Sequence, residues 1–334
     1  MSQSVFTWRY LGVLCLMWLA GCSVLIDVDE KQCDKSSECV SQKLGDRCVQ
    51  HVCVTEHATN TPDAGDGLPE DGKCETDRQC ASGGSTTTPR CMHGACVTDE
   101  LADRWLCAEP DTMMLSGTVK YSFHALDFVS RAAPKKLVVL ACRGNDVSCS
   151  DPAGEFTDTE GTGLVEFVLP KGFLGFFDIQ AEGVKEDGSA QPYVPALSYL
   201  TKPVLEDMVD RDLQLPTPEL VTALASIEAV QFEPETKGLA LVEAFDCSGT
   251  PAGGVRFTES KGGATPFYLV NHVPNKNANA SVYDKLNNVA DGGFLNVAPG
   301  FVDFKAYWGA DGPELGSFNV HVRAGTITYV DMYF

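Results

Sequence analysis

Two copies of one cysteine spacing constrain this chain more than any other feature. Cys33-x5-Cys39-x8-Cys48-x4-Cys53 is followed by Cys74-x5-Cys80-x10-Cys91-x4-Cys96, and each copy ends Cys-Val. Units this short bury too little apolar surface to fold on a core alone, so crosslinks of about 2–4 kcal/mol each must supply much of their stability. Four cysteines allow three pairings within a unit, and the spacing does not choose among them. Zinc asks for closer cysteine pairs with histidines at ligand spacing. His51 and His93, between the last two cysteines of their units, read as turn residues instead. Between the units, residues 60–72 are rich in Asp, Gly and Pro and carry almost nothing to bury, which reads as an acidic linker. The Asp-Gly pairs do not match a calcium loop, because no acid closes it at the twelfth position.

The N-terminus agrees with an oxidising destination. A polar start with one cation, Arg9, precedes an apolar run over 11–20 and the small residues Ala20 and Gly21 before Cys22. Ten helical residues span about 15 Å, half the hydrocarbon core of a bilayer, so the run is too short for a permanent span. Leu19-Ala20-Gly21-Cys22 resembles the lipobox of bacterial lipoproteins. The resemblance implies a signal peptide over 1–21, removed before Cys22, and lipidation of Cys22 itself. Several acyl chains hold a protein to a bilayer durably, whereas one does so marginally. Ser23, where sorting rules would place Asp for inner-membrane retention, implies the outer membrane, facing periplasm or cell surface.

Removing residues 1–21 takes away Arg9 and no acid, so the formal charge moves from −21 to −22. That charge repels nucleic acid, and no basic cluster offsets it. Of fourteen cysteines, Cys15 leaves with the signal and Cys22 carries lipid; the remaining twelve are an even number, as disulfides require.

From about Thr112 cysteines thin out and short apolar runs bounded by Gly, Pro and Asp recur, the signature of an antiparallel all-β region. Leu137 to Ala141 reads as a fully buried strand. Val165, Phe167 and Leu169 alternate, Pro170-Lys171-Gly172 turns, and Phe177, Ile179 and Ala181 alternate again. Phe294 to Val297, Pro299-Gly300, then Val302, Phe304, Ala306 and Trp308 repeat that order, and Val139 to Gly144 matches Ala244 to Gly249. Two related β domains in tandem follow. Pro218 to Ile227 is the best helix, with Thr217 as cap, Pro218 at the first position and apolar residues at 220, 224 and 227; an edge of a sandwich is its expected place.

Gly238 to Val255, Asp291-Gly292-Gly293-Phe294 and Pro299-Gly300 resemble the carboxypeptidase regulatory-like, or transthyretin-like, β-sandwich. The match covers 238–334 well and 115–185 more loosely, and departs from the family in a long polar segment over 258–288. The implied fold is mainly β: two tandem transthyretin-like antiparallel β-sandwiches after a disulfide-rich N-terminal region. Its parts are a tether (22–32), Cys-rich units (33–54 and 74–98), a linker (55–73), sandwiches (107–215 and 237–334) and a connecting helix (216–230).

Cys142 and Cys149 are close enough in sequence to bridge a local loop if their side chains face each other. By elimination Cys107 pairs with Cys247. No Gly-x-Ser-x-Gly, His-Glu-x-x-His, phosphate-cradling loop or Cys-x-x-Cys is present, and the six histidines show no ligand spacing. Asp151, Glu155, Asp158 and Glu160 could hold calcium, but acids at turns beside strands are common, and a turn is the preferred reading. Neither cofactor nor metal is expected. The leading functional reading is a non-enzymatic surface lipoprotein for adhesion, envelope structure or partner binding. Its partners are the membrane, through the acyl anchor, and an envelope protein or polysaccharide. The alternative is a carbohydrate-binding module using aromatics near predicted loops, Phe267, Tyr268, Tyr307 and Trp308, with Tyr268 and Tyr307 as the ligand-facing candidates; core packing is the preferred reading of these rings, since Trp308 falls in the buried phase of its strand. A secreted hydrolase with a site in 258–288 ranks third.

Overall fold

The computed structural model describes residues 47–49, 52–54, 74, 77, 80, 90–107, 115–185, 188–209, 212–270, 273–275, 277–284, 289–309 and 312–334. The chain divides into two compact units, Met1–Ala64 and Gly65–Phe334. In the first, strands β1 (Arg47–Val49) and β2 (Val52–Val54) form a hairpin with Cys48 opposite Cys53.

The second unit carries the same device. Strands β3 (Arg90–Met92) and β4 (Ala95–Val97) pair with Cys91 opposite Cys96. Their turn, His93-Gly94, has φ of +47° and +84°, the double left-handed geometry that a two-residue hairpin needs. Helix α1 (Asp99–Trp105) follows at once. The Thr98 side chain accepts from the Leu101 amide at 3.3 Å, Asp99 and Glu100 occupy the first turn and Arg104 the last, all favourable to the helix dipole.

The remainder is mainly β, built as two sandwiches from β5 (Thr118–Asp127), β6 (Lys136–Arg143), β7 (Gly154–Asp158), β8 (Leu164–Pro170), β9 (Gly175–Val184), β10 (Ala190–Pro192), β11 (Ala196–Tyr199), β12 (Met208–Val209) and β13 (Leu213–Leu215), then β14 (Gly238–Phe245), β15 (Val255–Glu259), β16 (Thr265–Val270), β17 (Val273–Pro274), β18 (Asp291–Val297), β19 (Gly300–Trp308), β20 (Glu314–Val322) and β21 (Ile327–Tyr333). In the first sandwich β5 lies antiparallel to β8 and parallel to β12 and β13, opposite a sheet ordered β11-β9-β6-β7. In the second, β14 lies antiparallel to β18 and parallel to β21, opposite β15-β19-β20. The two share one topology, with β5, β8, β9 and β13 in the roles of β14, β18, β19 and β21. This corrects the sequence alignment in one respect: the strand containing Cys142 is β6, the counterpart of β15, so Cys142 does not correspond to Cys247.

Pro170-Lys171-Gly172 and Pro299-Gly300 are not hairpin turns. Each carries the chain across its sandwich, since β8 and β9, like β18 and β19, belong to opposed sheets. Gly172 has φ of +86°, the left-handed conformation that favours glycine.

The sandwiches are joined through a sheet. β11 pairs in parallel with β21, Ala196 to Tyr199 against Ile327 to Val330, and the result is one ten-stranded sheet running from β17 to β7. Alternation along it serves separate cores on its two faces. Phe177, Ile179 and Ala196 enter the core of the first sandwich, while Val330, Met332, Val242 and Ala244 enter that of the second from the other face. Helix α2 (Pro218–Ile227) covers a third patch, with Val221 and Ala225 against Leu239, Phe267, Leu269, Leu295 and Ile327. The helix therefore lies on a sheet face rather than an edge, and Ile227 is exposed. Leu137 to Ala141 is one-sided as well: Leu137, Val139 and Ala141 are buried, while Val138 faces out. Within 258–288, β16 adds to β18 as an extra strand of the large sheet.

Candidate functional site

The place where chemistry-bearing residues converge is the joint between α1 and the second sandwich. Trp105 is fully buried, with ring centroids 5.6 Å from Trp308 and 5.9 Å from Phe334. Arg104 lies 5.0 Å over the Trp308 ring and reaches Asp246 at 3.4 Å. Cys107 and Cys247 are disulfide-bonded with Cα atoms 5.1 Å apart, and the Cys247 amide donates to the Arg104 carbonyl at 3.0 Å. Met92, Val97, Ala102 and Trp105 are members of the second sandwich's core. The second Cys-rich unit is thus packed onto that sandwich, a role its cysteine spacing does not reveal. The signals for α1 were present in Thr98, Asp99, Glu100 and Arg104, but seven residues are too short for apolar periodicity to stand out.

Beside the disulfide runs a groove of about 740 Å³, lined among others by Tyr199, Lys202, Glu206, Ser248, Phe318 and Tyr333. Its volume falls in the range of small-molecule sites. The Ser248 hydroxyl donates to Asp246 at 2.6 Å, but no histidine lies among the described lining residues to act as base between them. Burial pushes the Asp246 carboxyl up, yet the Ser248 hydroxyl, the Thr250 and Ser248 amides and the Arg104 charge together hold it below the usual range. A smaller cavity of about 110 Å³ is lined by Asp212, Glu243, Asp291, Asp331 and Tyr329; Glu243 there accepts the Ala290 amide at 2.7 Å. Burial, and secondarily the Asp291 charge, push the Tyr329 phenol upward.

The residues singled out from the sequence fall in separate places. Cys74 bonds to Cys91 and Cys80 to Cys96, one of the three pairings open to the unit. The sulfurs of Cys74, Cys80 and Cys96 lie within 4.8 Å of one another, but all are in disulfides and present no thiolate to a metal. Cys142 and Cys149 are joined with Cα atoms 5.1 Å apart. Cys22, Cys33 and Cys39 lie outside the described residues; of Cys48 and Cys53 the backbone register alone is described.

Asp158 is a turn residue: Oδ1 accepts the Glu160 and Gly161 amides, and Oδ2 the Thr162 hydroxyl and the Gly163 amide, all within 2.9 Å. Both oxygens are engaged by the turn itself, which leaves calcium without a free carboxylate at this position. Tyr268, expected as a ligand-facing ring, is 4% exposed, and its hydroxyl accepts the Phe257 amide at 3.0 Å. Tyr307 is half-buried under Arg256, whose guanidinium sits 4.4 Å above the ring. Those two rings do not form a stacking platform. Trp308, expected in a buried phase, is half-buried at the joint.

Fold and site together define a mainly β protein with a disulfide-rich N-terminal region, tandem sandwiches and a covalently fixed joint. No family model matches the chain, and no curated protein matches it. Among solved structures it is similar to a streptococcal ancillary pilin, at 11% identity over 66% of this chain and 62% of that one, with a TM-score of 0.18. It is also similar to the shaft pilin SpaA of Lactobacillus rhamnosus GG, at 10% identity over 65% and 98% of the two chains, TM-score 0.19. The Bacillus cereus major pilin subunit BcpA is 12% identical over 65% and 69%, TM-score 0.16. Scores this low carry no weight for function. Among the described residues no helix is long and apolar enough to cross a membrane.

Proposed function

We propose that the chain is a non-enzymatic surface lipoprotein, held to the outer membrane by acyl chains on Cys22, that presents two β-sandwiches for adhesion, envelope structure or partner binding. The observation that carries this reading is the joint. A Cys-rich unit and a short helix are packed into a sandwich core and bolted there by Cys107–Cys247, the build of a stiff stalk rather than of a flexible leader. The placement of Tyr268 and Tyr307 weighs against the carbohydrate-binding alternative. Labelling cells with a clickable palmitate analogue tests the anchor: the full chain should take up label and Cys22→Ala should not. Whole-cell protease shaving then reports which side the sandwiches face. A Cys22→Ala protein that still partitions with outer membranes would sink the proposal.

A further inference from the structure

The Cys107–Cys247 bridge spans 140 residues of sequence. Everything between, 108–246, is a closed covalent loop containing all strands of the first sandwich, helix α2 and strand β14. The buried core of the first sandwich is drawn entirely from inside that loop, from Val119 to Leu215. The core of the second sandwich, by contrast, straddles the bridge: Met92, Val97, Ala102 and Trp105 come from before Cys107, Ala240, Val242 and Ala244 on β14 from inside the loop, and Ala252 to Met332 from after Cys247. Tension arriving along the chain from the N-terminal side is therefore passed from the incoming segment, with Arg104 and Trp105, to the second sandwich, with Trp308, by this packing and by one S–S bond, and does not run through the backbone of 108–246.

We infer that the bridge is a load bypass: pulling force on the tether is delivered to the second sandwich, and the first sandwich is carried without being stretched. The source of tension rests on the anchored reading above; the force path rests on the covalent connectivity alone. The first sandwich needs such protection because of how it is attached. Its link to the second is four residue pairs of parallel strand, β11 on β21, together with isolated side-chain bonds such as Tyr199 to His321 and Arg323 to the Val147 carbonyl. Without the bridge, the backbone of 108–246 would lie in series with the load, and the first sandwich would be stretched once the packing of 92–105 on the second gives way.

Single-molecule stretching of the purified full chain, with handles at its two ends, tests this independently of acylation. Beyond the bridge lie 87 residues, 248–334, so the oxidised protein should release about 30 nm from the second sandwich at roughly 3.5 Å per residue. The looped residues hold a further ~50 nm at the same extension per residue. That step should be missing from the oxidised chain and appear when a thiol reductant is added under constant force. Reduction acts on protein already folded, so a misfolded variant cannot mimic the result; opening Cys142–Cys149 adds only about 2–3 nm, and opening Cys74–Cys91 with Cys80–Cys96 about 8 nm, both far short of the long step. The double variant Cys107→Ser/Cys247→Ser should show the long step without reductant, at a force below that of the second sandwich. The inference is overturned by a long step in the oxidised chain, or by a first sandwich that, once unbridged, outlasts the second. A chain that behaves as expected here but takes up no acyl label at Cys22 would retain the bypass and lose the anchor.

Discussion

The Tyr199 hydroxyl, on the first sandwich, donates to the His321 carbonyl at 3.1 Å and accepts the His321 amide at 3.2 Å on the second. One side chain thereby satisfies both backbone groups of an outward-facing residue on the edge strand β20. Tyr199→Phe leaves both groups unpaired and should cost about 1–3 kcal/mol in chemical denaturation. Burial pushes this phenol up to about 12, so it should stay protonated through the pH range in which exposed tyrosines titrate, as ultraviolet difference titration of wild type against Tyr199→Phe would show. A variant as stable as wild type would mean that water replaces the bridge.

Trp105 fills the joint, and its indole Nε1 has no hydrogen-bond partner. Trp105→Ala should destabilise by about 3–5 kcal/mol, the range for emptying a large aromatic site. Trp105→Phe should cost well under that, because no hydrogen bond is lost with the ring nitrogen. Equal losses in thermal melts would place the contribution of Trp105 in polar contacts instead of packing.

Asp158 gives a pH signature. Burial pushes its carboxyl up, but the Gly163, Glu160 and Gly161 amides and the Thr162 hydroxyl outweigh that and hold it below 3.8. A depressed folded-state value means that its contribution is complete above the unfolded value and disappears as pH falls through the folded one. Asp158→Asn puts an amide nitrogen against donors or leaves two of them unpaired, and should cost about 1.5–3 kcal/mol at pH 7. The difference in melting temperature from wild type should narrow below pH 3.8 and close in stronger acid.

The pairing in the second Cys-rich unit joins first to third and second to fourth cysteine. The repeated spacing, with Cys48 opposite Cys53 as Cys91 is opposite Cys96, predicts the same order in the first unit. Non-reduced peptide mapping should find 33 joined to 48 and 39 to 53; a 48–53 crosslink would show that the two units differ.

Local features of this fold were legible from the sequence and long-range ones were not. Alternation marked Val165, Phe167 and Leu169, and Thr217-Pro218 marked the start of α2, because each depends on a few neighbouring residues. The parallel pairing of β11 with β21 joins residues about 130 apart, and an alternating strand reads the same whichever neighbour it takes. The same blindness matched Cys142 to the wrong strand. Tyr268 looked like a loop aromatic because the short apolar run Phe267-Tyr268-Leu269-Val270 sits inside a long polar segment, and nothing local says that β16 will extend a sheet and bury it. At the joint, Arg104 and Asp246 are brought together by a crosslink between distant residues, and neither carries a local mark of its partner.

Strand β21, the last in the chain, lies in parallel between β14 and β11. A chain made from its N-terminus can assemble the first sandwich early, but the large sheet stays split until β21 is made. Until then β11 and β14 each present an unpaired edge, the feature that invites aggregation and proteolysis. Assembly is thus tied to the order of synthesis: a product that stops before β21 lacks the strand that joins its two sandwiches and leaves both of those edges open.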